Sequence, residues 1–364
     1  MDESQTYSPF RSVLLREWRR MTSRRLYFGV CIVLPLFTLF FMATIFGNGQ
    51  MENIPIGIID QDNTATSRAI TRNISAVPTF KVVKHYVNEA AAREAVQKKE
   101  IYGYLSIPPR FEQNAITGKN ATLSYYYHYA LLSVGGELMA AFETSLAPVS
   151  LSPIVMEAVS LGTDQQQITT FLLPVQANNH PIYNPSLDYS VYLSQPFFFV
   201  LFQVLILLTT VYTVGIEIKF RTATDWLATA KGNMVTAVLG KLLPYTFIYI
   251  LIGWLGNYAM FGILHIPFQG SWWLINIITV LFVIATQALG LFIFSLFPAV
   301  SLVISVVSMV GSLGATLSGV TFPVSNMYPL VRDASYLFPV RHFTEMIQTM
   351  LYGGGGFIYL WPSM

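Results

Sequence analysis

Long apolar runs alternate along this chain with one extended stretch of mixed polarity. Five runs reach the roughly 20 mostly apolar residues that a helix rising about 1.5 Å per residue needs to cross a hydrocarbon core. They cover approximately Tyr27–Phe46, Phe197–Val214, Leu242–Leu264, Trp272–Leu296 and Val300–Phe322, and none contains Asp, Glu, Lys or Arg. A single run of this kind also fits a buried helix of a soluble core. Five in one chain predict an α-helical multi-pass membrane protein. The first run follows several arginines, as a signal peptide would, but it exceeds the h-region length of about 7 to 15 residues and no clear small-residue cleavage site comes after it. It reads as an uncleaved anchor.

Ahead of that anchor, Val13, Leu14, Trp18 and Met21 recur at helical spacing with arginines between them. This pattern predicts an amphipathic helix within 1–26, lying in the membrane interface with its Trp at headgroup depth.

Between the first two spans the periodicity changes. Ile54 to Asp60 is a short β-branched run that ends in the turn Gln61-Asp62-Asn63, and Thr64 or Thr66 caps a helix running to about Ile74. Phe80 to Val87 predicts a second strand and Asn88 to Val96 a capped helix. Tyr102 to Ile107 predicts a third strand, with a short helix near Phe111 and a fourth strand over Ala121 to Tyr127. Alternating strands and helices predict βαβ units and a small α/β domain within 47–195. From about Leu131 to Leu173 the pattern is helical again and leads back to the membrane.

Composition agrees with a membrane solvent. Of 364 residues 53% are hydrophobic and 11% charged, against about 25% charged in soluble domains; mean hydropathy is +0.51. A net charge of +2 implies no nucleic-acid partner. The single cysteine, Cys31, lies in an apolar run, which excludes an intrachain disulfide and a Cys-based metal site.

Basic residues set the expected orientation. Arg11, Arg16, Arg19, Arg20, Arg24 and Arg25 crowd before the first span, and Lys219, Arg221, Lys231 and Lys241 lie between the second and third. Both segments are therefore expected in the cytoplasm, and the 47–195 insertion outside.

Candidate chemistry is sparse. His85, His128 and His180 have no metal-ligand spacing, and no nucleophile–base or paired-carboxylate set can be argued, so neither catalytic nor metal residues are expected. Tyr125-Tyr126-Tyr127 fits a strand with alternate faces in a core, or an aromatic contact surface. Asn73-Ile74-Ser75 and Asn120-Ala121-Thr122 fit the glycosylation tripeptide, which is frequent by chance. A nucleotide-binding P-loop needs G-x-x-x-x-G-K-[ST]. Gly240-Lys241 is followed by Leu242 with no glycine five positions earlier, and Gly353 to Gly356 lacks a lysine.

Several segments, taken in order, resemble the ABC-2-type transporter permeases. Ile54-Pro55-Ile56-Gly57-Ile58-Ile59-Asp60-Gln61-Asp62-Asn63 with Ser67 resembles the opening of that family's external domain, Ile107-Pro108-Pro109-Arg110-Phe111 its IPp-F segment, and Tyr183-Asn184-Pro185 its yNP. Arg221-Thr222 with Leu227-Ala228-Thr229-Ala230 resembles its GT-E-LL-TP, and Gly240-Lys241-Leu242-Leu243-Pro244 its GK-lP. Ser318-Gly319-Val320-Thr321-Phe322-Pro323, Met327 and Leu337-Phe338-Pro339-Val340 resemble its SGf-FP…M…l-P. Departures stand at Arg221, where the family has Gly, at Thr224, where it has an acid, and at Ala230, where it has Pro.

The resemblance implies an ABC-2-type, or type V, exporter fold with six spans. Five are present here, and the chain as given ends at Leu360-Trp361-Pro362-Ser363-Met364, before the sixth. It implies spans two to five over 196–322, a cytoplasmic coupling loop at 215–241, and a 323–364 segment in which Pro323 and the amphipathic Arg341 to Leu351 form external re-entrant helices. It implies no cofactor on this chain: ATP and Mg belong to partner ABC ATPase subunits. The other expected partners are a second permease copy or paralogue, membrane lipid and a periplasmic adaptor protein. The resemblance assigns ATPase coupling to Glu217, Arg221, Thr222, Trp226, Leu227 and Thr229, with Glu17 as a second contact. In the fifth span Ser305, Ser308, Ser312 and Thr316 stand among small residues, which allow close helix packing. They fit simple packing, or a dimer axis lining the cargo path.

The expected function is export of an amphipathic, drug-like or lipid-linked molecule across the bacterial cytoplasmic membrane, powered by a separate ATPase. The alternative is a non-transporting envelope protein whose external domain serves as sensor or phage receptor. A membrane enzyme is disfavoured by the lack of ionisable residues within the spans.

Overall fold

The first helix described is α1 (Pro9–Ser23), which buries Val13, Glu17 and Met21 on one stripe, with Arg11 and Arg19 exposed and Arg16 and Arg20 half-buried. The structure is a computed structural model, and it describes residues 8–45, 51–117, 121–146, 188 and 190–353. Two compact units share the chain. The first comprises Met1–Gly49, Ile182–Asn184 and Asp188–Met364; the second comprises Gln50–Pro181 and Pro185–Leu187. The expected motif Tyr183-Asn184-Pro185, His180, the helical pattern beyond Leu146, Asn120 and the terminal Leu360–Met364 lie outside the described residues.

After α1 the membrane unit continues as α2 (Arg25–Ile45), which passes through a π-helical turn at Gly29–Val33. The α/β unit comes next in sequence. It contains β1 (Ile54–Asp60), α3 (Ala65–Ala76), β2 (Phe80–His85), α4 (Glu89–Gln97), β3 (Gly103–Ile107), α5 (Phe111–Ile116), β4 (Ser124–Tyr127) and α6 (Leu132–Leu146). Its sheet runs β2-β1-β3-β4, with β1 parallel to both β2 and β3 and with β4 antiparallel to β3. The alternation of β1 explains both layers. Ile54, Ile56 and Ile58 join Ile70, Ile74, Leu138 and Phe142 on one face, while Ile59 meets Ala92, Ala95 and Tyr104 on the other. The three consecutive tyrosines obey the same period of two. Tyr126 stacks on Tyr104 at 4.8 Å between centroids, and Tyr125 on Phe142 at 5.2 Å.

The run Asp60-Gln61-Asp62-Asn63 has a physical reason. Asp60 accepts from the backbone N–H groups of Asp62 and Asn63 and from the Ser67 hydroxyl, closing the turn. Asp62 accepts from the N–H groups of Phe111 and Glu112, capping the first turn of α5 (2.9 and 3.0 Å). Thr64 and Ser67 form a capping box that starts α3. The motif is therefore a set of caps that bind the β1 turn to two helices.

The membrane unit resumes with α7 (Ser190–Lys219), α8 (Ala223–Thr229), α9 (Met234–Ile263), α10 (Trp272–Leu296) and α11 (Val300–Leu317). Then come a 3-10 turn at Val324–Asn326, α12 (Pro329–Ser335) and α13 (Pro339–Gly353). Among the described residues five helices are long and apolar enough to span a membrane, α2, α7, α9, α10 and α11. The central one is α7: 67% of its most apolar stretch is buried, against 22% for α2 and for α11. It packs on α2, α9, α10, α11 and α13. Side-chain bonds between helices add specificity, including Tyr249 to Thr209 (2.6 Å), Asn257 to Thr279 (2.9 Å) and Thr246 to Gln287 (2.7 Å).

Helix ends differ from the hydropathy-based expectation. The second span was expected to end at Val214 and the third to begin at Leu242; the helices continue to Lys219 and back to Met234, taking in Glu217 and Lys241. The fifth ends at Leu317 instead of Phe322, because Gly319 adopts φ +87°, a left-handed conformation that stops a helix. α13 is tucked into the bundle. Its Val340 N–H donates to Gln203 Oε1 (2.9 Å), and Phe343 lies 4.0 Å from the Phe199 ring centroid.

Candidate functional site

An acid on the apolar stripe of α1 must find a partner, since an unpaired buried charge costs several kcal/mol. Glu17 finds two. Lys241 Nζ donates to Glu17 Oε2 at 2.6 Å, and the Tyr245 hydroxyl donates to Oε1 at 2.8 Å. The same ammonium donates to Glu217 Oε1 at 2.8 Å. Arg16 grips Glu217 with two parallel bonds of 3.0 and 3.1 Å, the bidentate geometry a guanidinium favours. Arg20 also donates to Glu217 and lies 3.7 Å from Glu17. The Thr222 hydroxyl completes the shell of Glu217. Three cations thus surround two carboxylates, and Glu17, Glu217 and Lys241 are all at most 1% exposed. Burial tends to lower the pKa of Arg20, yet its bond to Glu217 and the charge on Glu17 hold it above the ordinary guanidinium value.

Backbone geometry makes this cluster possible. A Cβ on Gly240 would stand 3.0 Å from the Val13 side chain and 3.3 Å from the Phe10 carbonyl, tight contacts that would press α1 away from α9. The next residue, Lys241, then reaches Glu17. In the Gly240-Lys241 pair one residue supplies approach and the other charge. Trp226 of α8 closes the cluster, with the Lys241 ammonium 5.3 Å from its ring centroid and its indole N–H donating to the Ala237 carbonyl. The cluster joins α1, the last turn of α7, α8 and α9.

The seven expected coupling residues therefore separate into two groups. Glu17, Glu217 and Trp226 are interior, where they hold elements together and are not presented as a surface. Arg221 is exposed, while Thr222, Leu227 and Thr229 are half-buried along α8 and its entry. Arg221 has φ +57°, in the left-handed region, which gives a conformational reason for glycine at that position in the resembling permeases. The expectation that no ionisable residue sits within a spanning helix is corrected by Glu217 and Lys241. Lys241, counted among the basic loop residues, is buried in α9. Arg16, Arg20, Lys241 and Tyr245 were not anticipated as site residues. The available signal was the spacing Val13–Glu17–Met21, which puts an acid on an apolar face.

On α11, Ser305, Ser308, Ser312 and Thr316 form an exposed stripe, while Gly311 and Gly314 face inward against Val204 and Gln203. Close packing within the subunit is the work of the glycines, and the hydroxyls point away from it. Ser305, Ser308 and Ser312 donate to carbonyls of their own helix. No group of His, Cys, Asp and Glu among the described residues could hold a metal ion.

Residues 25–364 match the family described as ABC-2 family transporter protein. The probable multidrug ABC transporter permease YbhR of Escherichia coli (strain K12) is 23% identical over 323 residues, covering 86% of this chain and 82% of its own. YbhS of the same strain, also named a probable multidrug ABC transporter permease, is 28% identical over 121 residues, 32% of this chain and 31% of its own. The inner membrane transport permease YhhJ of that strain is 30% identical over 105 residues, 28% of this chain and 27% of its own. The match thus spans less than a third of YbhS and of YhhJ. No solved structure matches. Glu217 and Lys241 fall within the family match, whereas Arg16, Glu17 and Arg20 precede it.

Proposed function

Because this chain belongs to the ABC-2 family of transporter proteins and is a multi-pass permease subunit, we propose that it exports an amphipathic, drug-like or lipid-linked molecule across the bacterial cytoplasmic membrane. ABC permeases are membrane subunits and not themselves catalytic. Energy comes from ATP and Mg bound by separate ABC ATPase subunits, which dock on α8 from the cytoplasm. The N-terminus lies on that side, as the arginines around α1 favour, and the α/β unit lies outside. A second permease copy or paralogue faces the hydroxyl stripe of α11. The names of YbhR and YbhS as probable multidrug permeases support the cargo class.

One observation carries the coupling role. α8 and its entry expose Asp225 and Arg221, with Leu227 packed half-buried against the cluster around Trp226, while Thr222 and Trp226 anchor the segment to the ion cluster. A displacement of α8 is thereby delivered to α1, α7 and α9 together. The test is efflux, and permease-stimulated ATPase activity, of the assembled transporter carrying Leu227→Asp or the exposed Arg221→Asp. Both should abolish efflux at normal membrane expression. Undiminished efflux in the Arg221 variant, or a phenotype of the protein that persists without any ATPase, would refute coupling through α8.

A further inference from the structure

At the far end of α7 a second charge is buried, and among the described residues two of its nitrogens lack a hydrogen-bond partner. Arg341 of α13 is 4% exposed, and its Nε and Nη1 have no hydrogen-bond partner among the described residues. Its companion is the face of Tyr336, 3.7 Å from the guanidinium carbon to the ring centroid. Such a contact offsets only part of the cost of burying a cation without a counter-ion. Thr344, one turn along the same helix, is also buried with its hydroxyl unpartnered among those residues. Arg341 lines a cavity of about 360 Å³ together with Tyr192, Ser318, Val324, Glu345 and Gln348. The cavity has room for a group much larger than one water.

Position narrows the ligand. Tyr192 stands in the first turn of α7, about 37 Å by helix rise from Glu217 in the last turn. The cavity therefore opens at the membrane boundary opposite the ion cluster, where α11 has just ended at Leu317. The neighbouring Val340 N–H donates to Gln203 of α7, which holds the start of α13 within the bundle. Ionisable groups buried in a membrane bundle pair with one another or mark the path of a ligand.

We propose that this cavity binds the anionic headgroup of an amphiphile, with Arg341 as its charge partner. A phosphate or carboxylate accepts two bonds from a guanidinium, which satisfies Nε and an Nη together. Tyr192 and Val324 provide apolar wall for the first methylenes of a chain. Glu345 is exposed at the rim, where its carboxylate weakens the binding of an anion and favours release.

The experiment uses the full-length chain in neutral detergent, with bound lipid counted by native mass spectrometry and thermal stabilisation measured in parallel. The probes are phosphatidylglycerol, its headgroup-free analogue diacylglycerol, and inorganic phosphate. Phosphatidylglycerol is expected to bind and stabilise, with diacylglycerol at least about tenfold weaker, and Arg341→Gln to lose about tenfold in phosphatidylglycerol affinity, the equivalent of 1.4 kcal/mol. Arg341→Lys should retain part of it. Glu345→Gln, at an exposed position, should tighten phosphatidylglycerol binding without altering diacylglycerol, and this variant decides the matter where Arg341→Gln fails to fold. Stabilisation by inorganic phosphate equal to that by phosphatidylglycerol assigns the site to free anions, and by phosphatidylglycerol alone to a headgroup; both support an anion on Arg341. Equal binding of phosphatidylglycerol and diacylglycerol, no change in either variant, or dissociation of paired permeases by Arg341→Gln with lipid binding intact would overturn the proposal. No step requires ATP or efflux, so its failure is separable from failure of the transport reading.

Discussion

Glu217→Gln isolates the electrostatics of the ion cluster, because the side chain keeps its size and one acceptor oxygen. Glu217 receives Arg16, Arg20, Lys241 and Thr222. After the change, three cations share the single carboxylate of Glu17. The side chains of Arg16 and Arg20 are 26% and 17% exposed and can turn toward water, whereas Lys241 at 0% cannot. Breaking a buried pair costs about 3 to 5 kcal/mol, and the partial escape of the arginines places Glu217→Gln near the lower bound, about 3 kcal/mol. Lys241→Met should cost less, about 1 to 3 kcal/mol, because it leaves two cations for two carboxylates and Glu217 retains its bidentate Arg16. The double variant removes the stranded ammonium, so its loss should fall short of the sum by about 1 to 3 kcal/mol. Reversible unfolding in mixed micelles gives these energies. Trypsin cleavage at Arg16, Arg19 and Arg20 reports independently whether α1 has left α9. A cost below about 1 kcal/mol for Glu217→Gln, or additivity within about 0.5 kcal/mol, would refute the argument that these groups act as one buried network.

Backbone and surface geometry give two further expected outcomes. Arg221→Gly relieves a left-handed residue costing about 1 to 2 kcal/mol, offset by about 0.5 to 1 kcal/mol of extra unfolded-chain entropy; unfolding should show a net gain of up to about 1.5 kcal/mol, and a loss would mean the Arg221 side chain contributes contacts that matter more. Ser312→Cys in a Cys31→Ser background should yield an oxidant-linked permease pair if the exposed hydroxyl stripe of α11 lies at a dimer axis. The buried position Gly311 replaced by Cys should not, and equal linking of both would show that the stripe does not define the interface.

The spans were legible because a bilayer core imposes a length that composition alone reveals. Their ends were not, since hydropathy registers apolar centres and is blind to a helix that continues through partnered charges. Glu217 and Lys241 look like loop residues until the 24-residue separation between them is closed in space. Glu17 lies 224 residues from Lys241, and no local pattern names so distant a partner. The α/β unit was easier to read. Its strands are short runs bounded by turns, of which Ile54–Asp60 is β-branched, and its caps act within a few residues, as Thr64 does with Ser67. β4 was expected from Ala121 but pairs only from Ser124, where the cross-strand partner Ser106 is available. On α11 the sequence showed that small residues were abundant, but only the packed helix separates glycines that face the bundle from hydroxyls that face away.

The ion cluster raises a question of design, since well-packed apolar side chains would hold α1 to α9 at least as firmly as buried ions do. Val13 and Met21 already supply apolar contact on either side of Glu17. What the ions add is register. An apolar stripe tolerates a slide or a small rotation of α1, while Glu17 meets Lys241 and Tyr245 at one height and one angle. Moving α1 by a turn along its axis, about 5.4 Å, would take Glu17 from Lys241 and Tyr245 without water, and Arg16 and Arg20 from Glu217. The same constraint binds α8, because Thr222 and Trp226 contact the cluster from a third direction. The arrangement therefore favours movement of α1, α7, α8 and α9 as one block over sliding between them. This preference stems from the cost of the buried charges, whatever load arrives at α8. Apolar replacement of the whole cluster should then preserve folding while loosening that block, so a stable cluster-free variant with full efflux would show that fixed register is not needed.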